Sequence, residues 1–458
     1  MLVPLGRRVS AFFRATAPDP FVIAILLTLV TLIASWVLTP TSPVELVRAW
    51  GNDGLWRFLG FGMQMCLILV TGYALADSPP LAAALRRLAR IPSNARGGAA
   101  MVALVAGLLG VLSWGLGLIA GAIMAKRTAD ELEKRGVHAH RPILAAAGYV
   151  GLMVWHGGFS GTAPLKVSTA AEIADVLPES MSIDPIPLTQ TVLSPMNLVV
   201  TGGLLVLAPL VLAFLVPKES AETELLGTPT PPRADPEAQD FEPKPRGLLP
   251  LLLEDTRTLN LVLAGLIGVW AFGFYLPSEG PSGLLTLTPN SMNLTMLMLG
   301  LLLHPSPRSY VRAIDDAARG CSGIILQFPL YAGIMAMMHL SGLTDMLART
   351  MTEIASPTTL PALTCLSAGA ANLFVPSGGG QWGVQGPIAV QSGLEAGVPI
   401  SKMVMAVAYG DQLTNMLQPF WALPLLAITR VRAAEIVGYT AILMVFGFAW
   451  TLLWLLVL

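Results

Sequence analysis

Four short stretches of this chain interrupt apolar sequence with residues able to hold charge. They are Ser113–Gly117, Trp155–Pro164, Asn372–Trp382 and Tyr409–Pro419. Each is rich in Gly, Pro or small polar residues. Gly and Pro break helices, and a break frees backbone N–H and C=O groups. N–H groups at a half-helix N-terminus favour an anion. Freed carbonyls, joined by Ser, Thr, Asn and Gln side chains, suit a small cation. The candidate anion-binding set is Ser113, Trp114, Gly115, His156, Gly158, Ser160, Thr162, Ser377, Gly378, Gly379 and Gly380. The candidate coupling set is Asp411 with Asn372, Gln412, Thr414, Asn415 and Gln418. Their oxygens suit a hard cation such as Na⁺, while Asp411 alone could take a proton. Lys166 follows the second stretch and could attract an anion or extend to an interface.

Blander readings stand beside these. Gly and Pro also serve packing and kinks in membrane helices. His156 could simply hydrogen-bond a helix, and Asp411 could be an internal structural carboxylate. Trp114, Trp155, Phe374, Trp382, Phe420 and Trp421 cluster at the breaks. They are either packing or the lining of an apolar slot for a short acyl chain. No Gly-Lys-Ser or Gly-Lys-Thr follows Gly378–Gly380, which excludes a nucleotide P-loop. The apolar runs hold no Ser/His/Asp arrangement, HExxH or paired carboxylates, so an enzyme is not expected. Cys66, Cys321 and Cys365 show neither CxxC nor Cys/His spacing. They read as core residues, and no cofactor is expected beyond Na⁺ or H⁺ as coupling ion.

The elements that must position these stretches follow from hydropathy. The chain is 54% hydrophobic and 12% charged over 458 residues, whereas a soluble domain carries about 25% charged residues. Mean hydropathy is +0.67. The formal charge of −1 gives no reason to expect nucleic acid or anionic lipid as a partner. An all-α polytopic membrane protein results, with about nine spans and two re-entrant hairpins. The spans are placed at 20–39, 55–77, 142–176 (broken), 193–216, 257–276, 290–304, 322–340, 402–430 (broken) and 433–457. The hairpins are placed at 98–126 and 357–398. Residues 1–216 and 257–458 form two membrane halves, joined by a Pro-rich, acidic, disordered cytoplasmic linker at 217–256.

Orientation follows Lys and Arg. Arg7, Arg8 and Arg14 precede the first apolar run, which no small-x-small cleavage site follows, so this is a retained span and not a signal peptide. The N-terminus is then cytoplasmic. Arg86, Arg87, Arg90 and Arg96 precede the first hairpin, and Lys126, Arg127, Lys134, Arg135 and Arg141 follow it. Both flanks are basic, so the segment between them dips in and returns. The loops 40–54, 177–192 and 277–289 are poor in basic residues and face outside, as does the C-terminus.

The halves repeat. Gln64 and Gln327, Ile91 and Ile354, and Ser113 and Pro376 are each 263 residues apart; Tyr149 and Tyr409, and Pro164 and Pro424, are 260 apart. The order in each half is span, amphipathic arm, Gly-rich break, polar linker and broken helix. Counting spans gives the halves opposite orientation. Inverted-topology repeats with paired broken helices mark a secondary transporter's binding site.

At these residues the chain resembles the bacterial short-chain fatty acid transporter family. The resemblance covers nearly the whole chain. It is carried by Phe61-Gly62-Met63-Gln64-Met65, Gly157-Gly158-Phe159-Ser160-Gly161, Val375-Pro376-Ser377-Gly378-Gly379-Gly380, Gln385-Gly386-Pro387 and Gln418-Pro419-Phe420-Trp421-Ala422-Leu423-Pro424. The chain departs from the family's pattern at Ser113, His156 and Asp411, where the family often has Asn, Gly and Glu. The resemblance implies an inner-membrane importer of acetoacetate- or butyrate-like monocarboxylates, within a superfamily of inverted-repeat ion transporters. Cation or proton symport is the expected mechanism, with a small carboxylate and the bilayer as partners and a homodimer left open. Competing readings are a carrier of dicarboxylates or amino acids, and an anion channel. A dianion carrier should show a second cationic contact, and no intramembrane Arg is apparent.

Overall fold

The computed structural model describes residues 20–177, 181, 183–216, 247–278, 282–373 and 378–458. Most of these residues are helical, and no strand occurs among them. Seven helices are long and apolar enough to cross a membrane: Leu59–Asp77, Ala95–Leu112, Arg141–Leu165, Pro195–Leu215, Leu248–Tyr275, Pro307–Ser341 and Glu435–Val457. Two shorter apolar helices, Ala24–Leu38 and Pro289–Leu303, accompany them.

Burial separates centre from periphery. The broken segment Arg141–Leu165 has 94% of its apolar window buried, whereas Leu248–Tyr275 has 22% and Glu435–Val457 has 28%. The outer helices present bare apolar faces, including Val206, Leu210, Phe214, Leu266 and Val269. Such a surface is at home only against hydrocarbon.

The helix starts carry ordinary start signals. Asn94 caps Ala95–Leu112 by accepting from Gly97 N–H, and Ser194, with Pro195 in the first turn, caps Pro195–Leu215. Ser113, in extended conformation, ends one arm and starts the next, Trp114–Lys134. Arg135 closes the base of this first hairpin by donating to the carbonyls of Pro92 and Arg90 at 3.1 and 2.6 Å. The second hairpin pairs Leu360–Asn372 with Gly378–Ala396, and an amphipathic arm, Leu343–Ile354, precedes it. Pro79–Leu88 is the corresponding arm in the first half. Leu59–Asp77 and Ser322–Ser341 start 263 residues apart. The short 3₁₀ turns that break the two central helices, Trp155–Gly157 and Asn415–Leu417, start 260 apart. The element order therefore repeats at the spacing seen in the residues.

Glycine fits the first hairpin to the first broken helix. A Cβ on Gly121 would lie 2.1 Å from the Gly148 carbonyl oxygen, and one on Gly110 2.5 Å from that of Gly151. One on Gly117 would lie 2.4 Å from Gly110 Cα. The backbones touch directly, which only Gly allows. In the second half, a Cβ on Gly410 would meet the Cys365 carbonyl oxygen at 2.1 Å.

Three features differ from the sequence expectation. The stretch 40–54, expected as a loop, contains the helix Pro43–Ala49 and a π turn, Trp50–Gly54. Ser42 and Glu45 form a capping box there, Pro43 starts the helix, and buried Leu46 anchors it. The first hairpin is longer than 98–126, because helical hydrogen bonding runs on from the apolar core into both basic flanks. Leu248–Glu254, placed in the linker, is a helix with no buried residue. Residues 217–246 of that linker lie outside the described residues.

Candidate functional site

The tip of the first hairpin, and the arm ends Asn372 and Gly378 of the second, meet the two breaks in the central helices. At the first tip, Trp114 N–H donates to Ser160 Oγ at 3.0 Å, and Phe159 N–H donates to the Val111 carbonyl at 2.8 Å. These bonds satisfy groups that the break exposes. The two breaks are then tied together. Gln412 Oε1 accepts from both His156 N–H and Gly157 N–H at 3.1 Å. Tyr149 Oη donates to the Gln418 carbonyl at 2.9 Å.

Asn197 is a hub that sequence reasoning missed. Its Nδ2 donates to the carbonyls of Gly157 and Val192 at 2.8 and 2.6 Å. Its Oδ1 accepts from Thr201 and Tyr409 hydroxyls at 2.8 and 3.0 Å. Asn197 thereby joins the helix Pro195–Leu215 to both broken helices. The available signal was a lone Asn three residues after a Ser-Pro cap.

The coupling candidates cluster, but an amide already occupies their centre. Asn372 Nδ2 faces the Asp411 carbonyl, Thr414 Oγ1 and Asn415 Oδ1 at 2.8, 2.9 and 3.0 Å. Gln418 Nε2 donates to the Asn372 carbonyl at 2.5 Å. Thr414, Asn415 and Gln412 thus offer their oxygens to N–H donors. Asp411 stands apart from this arrangement. It is 1% exposed, and neither carboxylate oxygen has a hydrogen-bond partner among the described residues. Its Oδ2 lies 3.3 Å from Nδ1 of His156, itself 1% exposed. His156 Nε2 accepts from Ala163 N–H at 3.0 Å, and the ring stacks on Trp155 at 4.3 Å.

Beside this pair lies a narrow apolar slot with about 30 Å³ of space for a water-sized sphere. Met65, Trp114, Leu152, Trp155, Ile324 and Trp421 wall it. Thr162, Asn415, Gly378 and Gly379 add its polar and backbone surface. Gly378 opens the helix Gly378–Ala396 between the slot and Asp411. A Cβ there would lie 2.6 Å from Trp155 Cη2 and 3.0 Å from Asp411 Oδ2.

Of the anion candidates, Trp114, Thr162, Gly378 and Gly379 line the slot. Gly115 packs on the backbone of Leu69, Gly158 on that of Val111, and Gly380 on the ring of Tyr331. Ser160 is engaged with Trp114, and Ser113 Oγ is buried with no partner among the described residues. Ser377 and Phe374 lie outside the described residues, as does the side chain of Phe420. Lys166 does not reach the slot's surface. It is 0% exposed and paired with Glu172 at 2.5 Å and Asp175 at 3.0 Å, with its ammonium 4.5 Å from the centre of the Phe61 ring.

The family model for short chain fatty acid transporters matches residues 1–458. The chain belongs to the short-chain fatty acid transporter family. It is 37% identical over 449 residues to a protein of Escherichia coli (strain K12) named for short-chain fatty acid transport, covering 98% of each. A protein of Haemophilus influenzae with the same name is also 37% identical, over 450 residues and 97% of each. Among solved structures, MtrF of Neisseria gonorrhoeae, described with a class of antimetabolite efflux pumps, aligns at TM-score 0.56 and 16% identity, covering 98% of this chain and 97% of its own. The YdaH transporter of Alcanivorax borkumensis aligns at 0.55 and 17%, covering 95% and 98%. At such identity the likeness shows the fold alone, that of an all-α, multi-pass membrane protein. The short-chain fatty acid transporter family places the chain among transporters, not enzymes.

Proposed function

We propose that the chain is a secondary carrier importing short-chain monocarboxylates, acetoacetate- or butyrate-like, across the bacterial inner membrane by cation or proton symport with alternating access. The observation that carries this reading is the slot where the first hairpin tip, the start of the helix Gly378–Ala396 and both central breaks converge. Its walls are aromatic and aliphatic, which suits a short acyl chain. Its polar surface is backbone at a helix N-terminus, with Thr162 and Asn415, which suits one carboxylate. Among the described residues no Lys or Arg lines it, and Lys166 is already ion-paired. A second carboxylate would find no cation, which favours a monoanion over a dicarboxylate.

A monoanion entering the cell works against about 2.3 kcal/mol per 100 mV of membrane potential, so accumulation calls for a co-transported cation. The repeated element order supports two halves of opposite orientation. The joined ends of the first hairpin, with basic residues on both, support its entering from the cytoplasm. Counterflow of labelled acetoacetate, butyrate and succinate into proteoliposomes tests the reading, with protein-free liposomes correcting for diffusion of the neutral acids. Protein-dependent counterflow of the monocarboxylates but not succinate is expected. Preference for succinate, or flux that fails to saturate, would replace it with a dicarboxylate carrier or a channel.

A further inference from the structure

Asp411 and the slot share one helix N-terminus. Gly378 touches the slot on one side, while the position of its absent Cβ lies 3.0 Å from Asp411 Oδ2. The positive end of a helix stabilises one anion nearby. A substrate carboxylate seated there would face the Asp411 carboxylate across the same backbone groups. Two like charges at one site disfavour each other, and a proton on one removes the conflict.

The surroundings say where that proton goes. His156 Nε2 accepts from Ala163 N–H, so the neutral ring carries its proton on Nδ1, facing Asp411 Oδ2. A second ring proton would set Nε2–H against Ala163 N–H. Asp411 has no such conflict: apart from the His156 Nδ1 contact at 3.3 Å, its oxygens have no partner among the described residues. Of the surrounding oxygens, those of Thr414, Asn415 and Gln412 already face N–H donors, while Asn372 Oδ1 and Gln418 Oε1 are buried with no partner among the described residues, so the experiment below sets Na⁺ against H⁺ directly. Few other titratable groups bear on the pair from the packed elements. Tyr409 is bonded to Asn197, Cys365 is buried in the adjoining hairpin arm, Lys402 stands nine residues before Asp411 on its own helix, Glu435 and Tyr439 lie near the start of the packed helix Ala433–Val457, and Lys166 is paired with Glu172 and Asp175. The helices Pro195–Leu215 and Gly378–Ala396 bring no charged side chain except Glu395 at the far end of the latter.

We propose that Asp411, positioned by His156, is the proton site of the carrier, and that one proton on Asp411 and one substrate carboxylate at Gly378–Gly379 load together. The inference rests on the carrier reading above. One anion and one proton move, so the step carries no net charge. By linkage, acidification strengthens substrate binding and substrate binding takes up a proton.

Calorimetric titration of the full-length detergent-solubilised protein with acetoacetate, in buffers of different ionisation enthalpy, counts that proton. The wild type should bind about one proton per acetoacetate, and its Kd should weaken about tenfold per pH unit where Asp411 is ionised. Replacing K⁺ by Na⁺ at constant ionic strength should leave Kd unchanged. Asp411→Asn should take up no proton and lose the pH slope. Asp411→Glu should keep the slope over a shifted pH range, and serves if the Asn variant does not fold. His156→Gln should keep proton uptake with altered affinity. Binding without proton uptake, a slope surviving in Asp411→Asn, or a Kd that tightens with Na⁺ overturns the inference while leaving the carrier standing. Absence of both acetoacetate binding and protein-dependent counterflow overturns the carrier reading and this inference with it.

Discussion

Replacing Lys166 by Met tests whether a charge placed close to the site belongs to substrate or to the fold. The Lys166 side chain is 0% exposed, Glu172 8% and Asp175 56%. Met is one atom shorter but uncharged, and its sulfur can keep a contact with the Phe61 face. It leaves Glu172 buried without its cation, and breaking a buried pair in this way costs about 3–5 kcal/mol. Asp175 is more than half in water, so its share is about 0–1 kcal/mol. The double change Lys166→Met with Glu172→Gln removes the stranded charge and should recover most of the loss. The order of thermal midpoints is therefore wild type, Asp175→Asn close behind, the double variant next and Lys166→Met clearly lowest. Tryptophan fluorescence of the purified protein in detergent, scanned with temperature, reads this order. A Lys166→Met protein that melts with wild type, or an Asp175→Asn protein that falls as far, would refute the buried pair.

Cysteines introduced at Ser93 and Gly136, in a background free of native cysteines, should be labelled only from the cytoplasmic side; labelling of either from outside removes the re-entrant reading. Gly121→Val should abolish folded protein, as measured by size-exclusion yield, because its Cβ falls 2.1 Å from a backbone oxygen, whereas Gly265→Ala and Gly268→Ala, with nothing within 4 Å, should match wild type. Ile324→Ala removes slot wall and should move competition in counterflow toward longer acyl chains, by about fourfold per methylene accommodated. Asn197→Ala leaves the Gly157 and Val192 carbonyls and the Tyr409 hydroxyl without their Asn197 partner and should destabilise the fold by about 1–3 kcal/mol for each group left buried and unsatisfied, read as a lower thermal midpoint.

What the sequence made legible was the set of breaks. Ser113, Trp155–Gly157 and Asn415–Leu417 interrupt helices where Gly, Pro and polar residues interrupt apolar runs, because backbone breakage is a local property. The use of each polar side chain was not legible. Asn372 reads as an oxygen ligand, yet its amide nitrogen occupies the middle of the oxygen cluster. Gln412 reads likewise, yet its oxygen holds two N–H groups from the opposite half of the chain. Lys166 reads as a free cation until Glu172 and Asp175 fold over it. His156 and Asp411 could each be singled out, but their pairing depends on how the two halves dock, which no spacing encodes. Pro43–Ala49 is a different case. Its Ser42–Glu45 capping box is a local signal, and low apolar content over the whole stretch obscured it.

The glycine seam between the first hairpin and the first broken helix bears on how the carrier would move. Most helix contacts interlock through side chains that can change rotamer and let one helix slide on another. At Gly110, Gly117, Gly121, Gly148 and Gly151 the nearest neighbours are main-chain atoms, joined only by the methyls of Ala106 and Ala125. Such a contact has one fit and no rotamers with which to find a second. In any cycle that opens the slot to each side in turn, these segments would travel as a single block, with Trp114, Trp155 and Thr162 fixed on it. The hinge must then lie at the block's perimeter. This half of the binding surface would be carried ready-made, like a cup on an arm, and need not be rebuilt at each turnover.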